Sequence, residues 1–187
     1  MTSQKNKFIL ALLVHEGGTQ TNLKSIREAV EQGKINARIS AVVSDNNNPM
    51  PILEKMSPDY ICLAGWKKII PDELVTKYKD RILNLHPGLI PDNADGQVMN
   101  PDNTTALWNK GMYGSRAIQN FLDQKATYAG SSVHFLTLDF DFGPVLGRCF
   151  EKIEANDTTE TLYTRLKKKE NELYVEVLGR LCQTSDV

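Results

Sequence analysis

Hydrophobic residues along the chain fall into short continuous runs, which alternate with segments in which they recur at helical spacing. The first run, Phe8–Val14, is apolar throughout, which is typical of a central strand that is covered on both faces. After Gly17 and Gly18, apolar residues recur every three or four positions until Gly33. This part of the pattern predicts a strand, a glycine-rich turn and a helix that ends at Gly33.

The rest of the chain shows the same two patterns. Strands are predicted over residues 37–43, 60–65, 81–86, 131–136 and 145–150. Helices are predicted over residues 51–57, from Pro71, over residues 108–122 and from Asp157 onward, the first of them little more than one turn long. Residues 1–6 are predicted as a loose tail. Residues 91–110 are predicted as a long polar loop, which in a compact domain is either functional or mobile. We expect one α/β domain over residues 1–187.

The composition is that of an ordinary globular protein, with 187 residues, of which 41% are hydrophobic and 24% are charged. Lys and Arg number 22 against 23 Asp and Glu, so the net charge of -1 gives no support to nucleic-acid or membrane-surface binding. The apolar run near the N-terminus is too short to span a bilayer and lacks the cleavage site of a signal peptide. Three widely spaced cysteines match no metal pattern, and the acids of residues 91–110 lack the spacing of a calcium loop. We therefore expect no metal, and a reducing, cytoplasmic setting.

Two polar side chains end the strand predicted over residues 81–86. Asn84 and His86 lie two positions apart, so their side chains project from the same face of the strand. Pro87 stops the strand directly after His86. In an α/β sheet, ligands bind outside the carboxyl ends of the strands. A histidine can exchange protons near neutral pH, and an asparagine amide can donate to a developing oxyanion.

A carboxylate from another loop would complete this pair, and Asp141 is a candidate that could hold the imidazolium of His86. The three residues suit acyl transfer to an amine, in which a tetrahedral intermediate must be stabilised and a proton moved. No serine or cysteine is placed as an activated nucleophile, which favours direct attack by the substrate. The alternative is that Asn84 and His86 are turn formers that satisfy backbone groups.

Other polar residues have more than one interpretation. His134 lies in the middle of a predicted strand. It is either a core histidine with its hydrogen bonds satisfied or a residue that supports a site. His15, at the exit of the first strand, could approach a ligand. Thr21 and Asn22 either cap the following helix or belong to a turn that binds an anion at the helix N-terminus. The run Lys167–Lys169 is interpreted as the solvated face of the last helix.

Two segments resemble the signatures of the folate-dependent formyltransferase family. Residues Asn84–Pro91 resemble its Asn-x-His-Pro-(Ser)-Leu-x-Pro motif, and Ser132–Pro144 resembles its second motif, which ends in Asp-x-Gly-Pro. The resemblance covers most of the chain. It implies an α/β fold in which helices flank a Rossmann-like, mostly parallel twisted sheet with antiparallel C-terminal strands.

The resemblance also implies a reaction. A formyl group would pass from 10-formyltetrahydrofolate to the amine of phosphoribosylglycinamide, a step of purine biosynthesis. Two alternatives stay open, namely an amino sugar nucleotide as the acceptor, or a relative that binds folate or a nucleotide without catalysis. The partners would be small molecules, with the protein itself a monomer or a homodimer.

The positions that match the family motifs form three groups. The catalytic residues would be Asn84, His86 and Asp141. The acceptor substrate would be bound by Gly18, Gln20, Thr21, Asn22 and Glu170. The folate would be bound by Lys67, Lys68, Ile69, Ile70, Asn84, Thr137, Leu138, Asp139, Phe140 and Asp141.

Three departures from the family pattern affect this site. Gln20 and Phe142 stand where the family has glycines. Only about a dozen residues separate Asp45 from Tyr60, where the family has a helix, a strand and a second helix that carry an arginine for the ligand. We therefore expect a shorter sheet edge and a more open cleft. Residues 91–110 are longer than the family's connection, and we hypothesise that they fold over the cleft.

Overall fold

A computed structural model describes residues 7–183, within which six strands form a single sheet. The strands are β1 (Phe8–Val14), β2 (Ala37–Ser44), β3 (Tyr60–Ala64), β4 (Ile82–His86), β5 (Tyr128–Phe135) and β6 (Val145–Lys152). Their order across the sheet is β2-β1-β3-β4-β5-β6. The first four strands are parallel, and β5 and β6 are antiparallel to their neighbours, which confirms the predicted fold class. The loose tail predicted for residues 1–6 lies outside the described residues.

Helices cover both faces of this sheet. They are α1 (Thr21–Glu31), α2 (Met50–Met56), α3 (Asp72–Lys77), α4 (Gly114–Asp123) and α5 (Thr159–Leu181). The apolar sides of α1 and α5 pack on one face of the sheet, and those of α2 and α3 on the other. Because both faces of β1 are covered, its side chains from Leu10 to Leu13 are all fully buried, as the continuous apolar run predicts. Within residues 7–183, no helix is long and apolar enough to cross a membrane.

The connection from β2 to β3 contains the seven-residue helix α2, and β2 forms one edge of the sheet. The chain passes from β1 to β2 on one side and then crosses to β3 on the other side of β1. The strand order therefore reverses between β1 and β3, and the loops that follow these two strands diverge. A crevice opens at such a point in doubly wound sheets.

The helix predicted from Trp108 begins only at Gly114, so this prediction is wrong at its N-terminal end. Asn109 and Gly111 have left-handed backbones, with φ of 56° and 78°, which a right-handed helix cannot contain. Asn109 is buried, and its Nδ2 donates to the carbonyl oxygens of Pro87 at 3.0 Å and of Ala117 at 3.1 Å. These bonds fix residues 108–111 against the turn that follows His86.

Candidate active site

A cavity of about 630 Å³ lies at the carboxyl ends of the parallel strands. It is lined by the loops after β1 and β3, the end of β4, the first turns of α4 and the first half of α5. The β1 and β3 loops diverge here because the strand order reverses between these two strands. The cavity therefore occupies the place where the topology predicts a ligand.

All five residues that the resemblance assigns to the acceptor substrate line this cavity. They are Gly18, Gln20, Thr21, Asn22 and Glu170. The N-cap of α1 is Gln20, which has a left-handed backbone and makes no side-chain cap bond. Thr21 and Asn22 thus lie inside the helix and do not cap it. The backbone N–H groups at this helix end lack a side-chain cap beside the cavity.

Asn84 lines the cavity and is oriented by the histidine that faces it on the neighbouring strand. β4 and β5 pair so that Asn84 lies opposite His134, and its Nδ2 is 3.2 Å from Nε2 of His134. Nδ1–H of His134 donates to the carbonyl of Phe135 at 3.0 Å, which leaves Nε2 as an acceptor. Burial and the charge of His86 lower the pKa of His134 to about 4. At neutral pH, His134 is therefore an uncharged acceptor that holds the Asn84 amide and leaves that amide a second N–H.

The lowered pKa of His134 predicts acid-sensitive stability. A histidine with the ordinary pKa of 6.5 binds a proton before one with a pKa of about 4, so the unfolded state is protonated first as the pH falls. The stabilisation is complete above about pH 6.5 and is lost toward pH 4, with about 2 kcal/mol lost at pH 5. We expect the free energy of unfolding in urea to drop more between about pH 7.5 and pH 5 in the wild type than in His134→Gln. Equal drops in the two proteins would contradict this.

His86 is buried and has an oxygen acceptor at each ring nitrogen. Nδ1 lies 3.5 Å from Oδ1 of Asp141, and Nε2 lies 2.8 Å from the carbonyl oxygen of Trp108. Burial opposes ionisation of Asp141, but the hydrogen bond and charge of His86 and the N–H of Gly111 hold the pKa of its carboxyl below the usual value. An imidazolium, which donates from both nitrogens, satisfies both acceptors. The structure thus brings His86 and Asp141 together with the acid ionised.

The end of the long polar loop packs on His86 and Asp141. The indole Nε1 of Trp108 donates to the backbone carbonyl of Asp141 at 3.0 Å, and the N–H of Gly111 donates to Oδ2 of Asp141 at 2.8 Å. None of residues 91–110 lines the cavity. The loop therefore meets the candidate catalytic residues through its C-terminal end and does not cover the cavity, which departs from the hypothesis that it folds over the cleft.

Lys167 lines the cavity although the lysine run predicts a solvated face, so the sequence alone does not identify it. Its side chain is only 19% exposed and lines the cavity, with Nζ 2.6 Å from Oε2 of Glu170. Oε1 of Glu170 accepts a hydrogen bond from Oγ of Ser131 at 2.5 Å. Burial would lower the pKa of Lys167, but the charge of Glu170 and its hydrogen bond raise it. Residues three apart share a helix face, and this spacing to Glu170 is the signal that could have identified Lys167.

In the loop after β3, which the resemblance assigns to folate binding, only one of the four residues lines the cavity. Lys67 lines the cavity, whereas Nζ of Lys68 donates to the backbone carbonyl of Asp45. Ile69 is exposed, but the side chain of Ile70 is buried in the core under α3. The side chain of Ile70 cannot line a folate site, and only its backbone is available to a ligand.

The loop after β5, the second folate segment, is open to solvent at its tip. None of residues 137–140 lines the cavity. Leu138 and Phe140 are 63% and 64% exposed, and Oγ1 of Thr137 holds the loop by donating to the carbonyl of Phe142 at 2.7 Å. Two large apolar side chains of this loop are therefore in contact with water.

The remaining candidate groups are potential metal ligands and the cysteines. Within residues 7–183, no group of three His, Cys, Asp or Glu side chains is placed to hold a metal. Burial raises the pKa of Cys149 to about 12 and that of Cys182 to about 12, which keeps both as thiols at neutral pH.

The sequence and the fold were compared with known proteins. The profile of a family described as Formyl transferase matches residues 50–178. The chain is 31% identical over 206 residues to the chloroplastic phosphoribosylglycinamide formyltransferase of Arabidopsis thaliana, a match that covers 93% of this chain and 65% of that protein. It is 29% identical to the corresponding protein of Vigna unguiculata, with 93% and 61% covered. The chain thus spans less than two thirds of the length of these curated relatives.

A solved structure shows the same fold. Glycinamide ribonucleotide transformylase 1 of Symbiobacterium toebii superimposes with a TM-score of 0.79 at 23% sequence identity. The superposition covers 97% of this chain and 91% of that one.

Proposed function

This chain belongs to the Formyl transferase family, and from that premise we propose that it transfers a formyl group from 10-formyltetrahydrofolate to the amine of phosphoribosylglycinamide. The observation that carries the proposal is that Asn84 pairs with His134 beside the cavity, while His86, two residues further along β4, pairs with Asp141. Asn84 faces a cavity that is also lined by Glu170, whereas the side chains of His86 and Asp141 lie outside the cavity lining. The family relationship and the names of the two plant relatives support the reaction.

In the proposed reaction, the amine attacks the formyl carbon directly. A bond forms between the amine nitrogen and that carbon, the bond from the carbon to N10 of the folate breaks, and the amine proton ends on N10. Negative charge develops on the formyl oxygen, which needs preorganised donors. The second N–H of Asn84 is one donor, and Nε2–H of His86 is the other. Asp141, ionised beside Nδ1, orients the ring of His86 and assists the movement of the proton.

The proposed reaction also requires a movement of the loop beside His86. Nε2 of His86 is bonded to the carbonyl of Trp108, and His86 is only 2% exposed. The Trp108 carbonyl thus occupies the position that the formyl oxygen requires. The proposal therefore includes a shift of residues 108–111 on folate binding, so that the hydrogen bond from Nε2 passes from Trp108 to the substrate.

Glu170 is proposed to bind the acceptor at the opposite wall of the cavity. Its carboxylate is buried at 4% exposure, with Lys167 and Ser131 as partners, and Tyr174, one turn further along α5, donates to the carbonyl of Leu83 at 3.0 Å. This anchor keeps the Glu170 side of α5 against the sheet. A fixed carboxylate suits an acceptor that offers an amine and hydroxyl groups.

Replacing Glu170 with glutamine is expected to raise KM for phosphoribosylglycinamide by about 10-fold or more, because one charge-assisted contact contributes about 1.5–3 kcal/mol. KM for the folate should not change. Steady-state kinetics with each substrate varied in turn measure both values. Glu172→Gln is the matched control, because Glu172 is exposed on the same helix. A similar increase in both KM values would argue against a specific role in acceptor binding.

The proposed function is tested by incubating the protein with 10-formyltetrahydrofolate and single acceptors while folate deformylation is followed by absorbance. Turnover with phosphoribosylglycinamide is expected. Turnover with an amino sugar nucleotide alone would assign the chain to a different acceptor. Folate binding without turnover of any amine would identify a non-catalytic relative.

We also propose that the partners of the protein are these small molecules and that it works in the cytoplasm. All three cysteines, Cys62, Cys149 and Cys182, are free thiols, which suits a reducing compartment.

A further inference from the structure

The outer edge of β2 has no strand beside it, because the chain crosses from β2 directly to β3 on the far side of β1. In the common doubly wound order 3-2-1-4, the next strand would instead lie beside β2. The unpaired N–H and C=O groups of an edge strand are a template for another strand, and natural edges are usually blocked by short length, charges or prolines. β2 is eight residues long, has Arg38 as its only charge and contains no proline. Its side chain at Val42 is 41% exposed.

The opposite edge of the same sheet, β6, is blocked by cations of α5. Nζ of Lys169 donates to the backbone carbonyl of Phe150 at 2.7 Å, and the guanidinium of Arg165 donates to that of Lys152 at 3.0 Å. In the described part of the chain, no side chain makes a bond of this kind to the backbone of residues 38–43. One edge of the sheet is therefore protected by side chains and the other is left free for pairing.

A groove of about 380 Å³ lies between this free edge and α1, and its apolar lining includes Val30, Ile39 and Val42. Strict alternation along a strand would place residues 39 and 42 on opposite faces. However, the β1–β2 pairing skips Ser40, so Ile39 and Val42 both lie on the α1 side. Oγ of Ser40 donates inward to the carbonyl of Leu10 at 3.1 Å and does not block the outer edge. Apolar side chains and free backbone groups thus lie next to each other along β2.

Two opposite charges, Arg27 and Glu31, line the groove on α1, one helical turn apart. In the described residues, the ion pair of α1 joins Lys24 to Glu28, and neither Arg27 nor Glu31 takes part in one. A two-fold axis near the middle of β2 would pair two copies of this strand antiparallel and place their α1 helices side by side, also antiparallel. Arg27 of each copy would then face the partner's Glu31. The groove is therefore complementary to itself in charge as well as in apolar surface.

We propose that β2 is a dimer interface, in which it pairs with β2 of a second copy of this chain so that the two sheets join into one. A second copy is the occupant that this surface fits, because a two-fold interface requires a patch that matches itself and the Arg27–Glu31 arrangement does so. The inference does not depend on the proposed reaction. The cavity at the carboxyl ends of the strands is lined by none of the residues that line the groove, so the interface leaves the candidate active site open.

Sedimentation velocity over a range of protein concentrations tests the interface. The wild type should pass from monomer to dimer as its concentration rises. Arg27→Glu and Glu31→Arg each place like charges opposite one another at both symmetric contacts, so each should raise the Kd of the dimer by about 10-fold or more. Val42→Lys should weaken the dimer as well, because a lysine on an edge strand blocks pairing. The matched control Lys24→Glu reverses a charge at 78% exposure on the same helix but outside the groove, and should leave the Kd unchanged.

Mixing the two charge-reversed variants distinguishes a second copy from any other occupant of the groove. Arg27→Glu leaves two acids on the groove and Glu31→Arg leaves two bases, so an equimolar mixture should form a heterodimer where each variant alone is a monomer. The double variant with both changes should regain the wild-type dimer. Circular dichroism shows whether each variant is folded. A wild type that stays monomeric at every concentration, a dimer that all three groove variants leave intact, or a mixture that stays monomeric would overturn the inference, whatever the result of the formyl-transfer assay.

Discussion

Replacing Asp141 with asparagine is expected to lower kcat for formyl transfer by at least ~100-fold, because general acid–base assistance contributes about this much. The carboxylate is ionised in the structure and lies 3.5 Å from Nδ1 of His86. Asparagine keeps an oxygen for the N–H of Gly111 but removes the negative charge that faces Nδ1 of His86. The substitution also suits the backbone, since Asp141 has a φ of 49°, a region that asparagine tolerates well.

The matched control for this variant is Asp123→Asn, which removes a carboxylate at the exposed end of α4. Both variants should unfold at nearly the wild-type urea concentration, and the control should keep wild-type kcat. The decisive measurement is kcat at saturating concentrations of both substrates. A wild-type kcat for Asp141→Asn would show that proton management does not depend on this residue, and would remove one of the three proposed catalytic roles.

The projection of Asn84 and His86 from the same face of their strand could be predicted, because it depends only on local chain geometry. Side chains two apart on a strand face the same way, and Pro87 marks the strand end. The cavity at this edge follows from topology, since the strand order reverses between β1 and β3. The local geometry of the strand needs no knowledge of distant contacts, whereas the strand order comes from pairings between strands that are far apart in the sequence.

Residues whose positions depend on distant contacts could not be predicted in this way. Lys167 belongs to a run of three lysines, which by itself indicates a solvated face, and its burial arises from the elements that surround the cavity. The contact of Trp108 with His86 joins residues 22 positions apart, in a loop without periodicity. The apolar spacing after Trp108 suggested a helix, but the buried hydrogen bonds of Asn109 outweigh that preference.

Gly88→Ala is expected to disrupt the contact between Trp108 and His86 and to reduce both stability and activity. A Cβ on residue 88 would lie 1.8 Å from the carbonyl oxygen of Trp108 and 2.9 Å from Nε2 of His86. Both atoms are too close to a Cβ, and the Trp108 oxygen belongs to the backbone, so residues 107–109 would have to move away. That movement would break the bonds from the N–H of Leu89 to Leu107 at 2.9 Å and from Asn109 to Pro87 at 3.0 Å.

Overpacking together with the loss of two buried hydrogen bonds predicts a loss of about 3 kcal/mol in the free energy of unfolding. kcat should also fall by at least ~10-fold, because a displaced His86 no longer aligns with the substrate oxygen. Urea unfolding and steady-state kinetics measure the two effects. Gly179→Ala is the matched control, because its Cβ would lie 3.4 Å from the nearest atom, inside α5, where alanine is favoured over glycine by up to about 1 kcal/mol. If Gly88→Ala kept wild-type stability and kcat, the backbone of Trp108 would not lie against His86. Residues 108–111 would then have no part in the reaction.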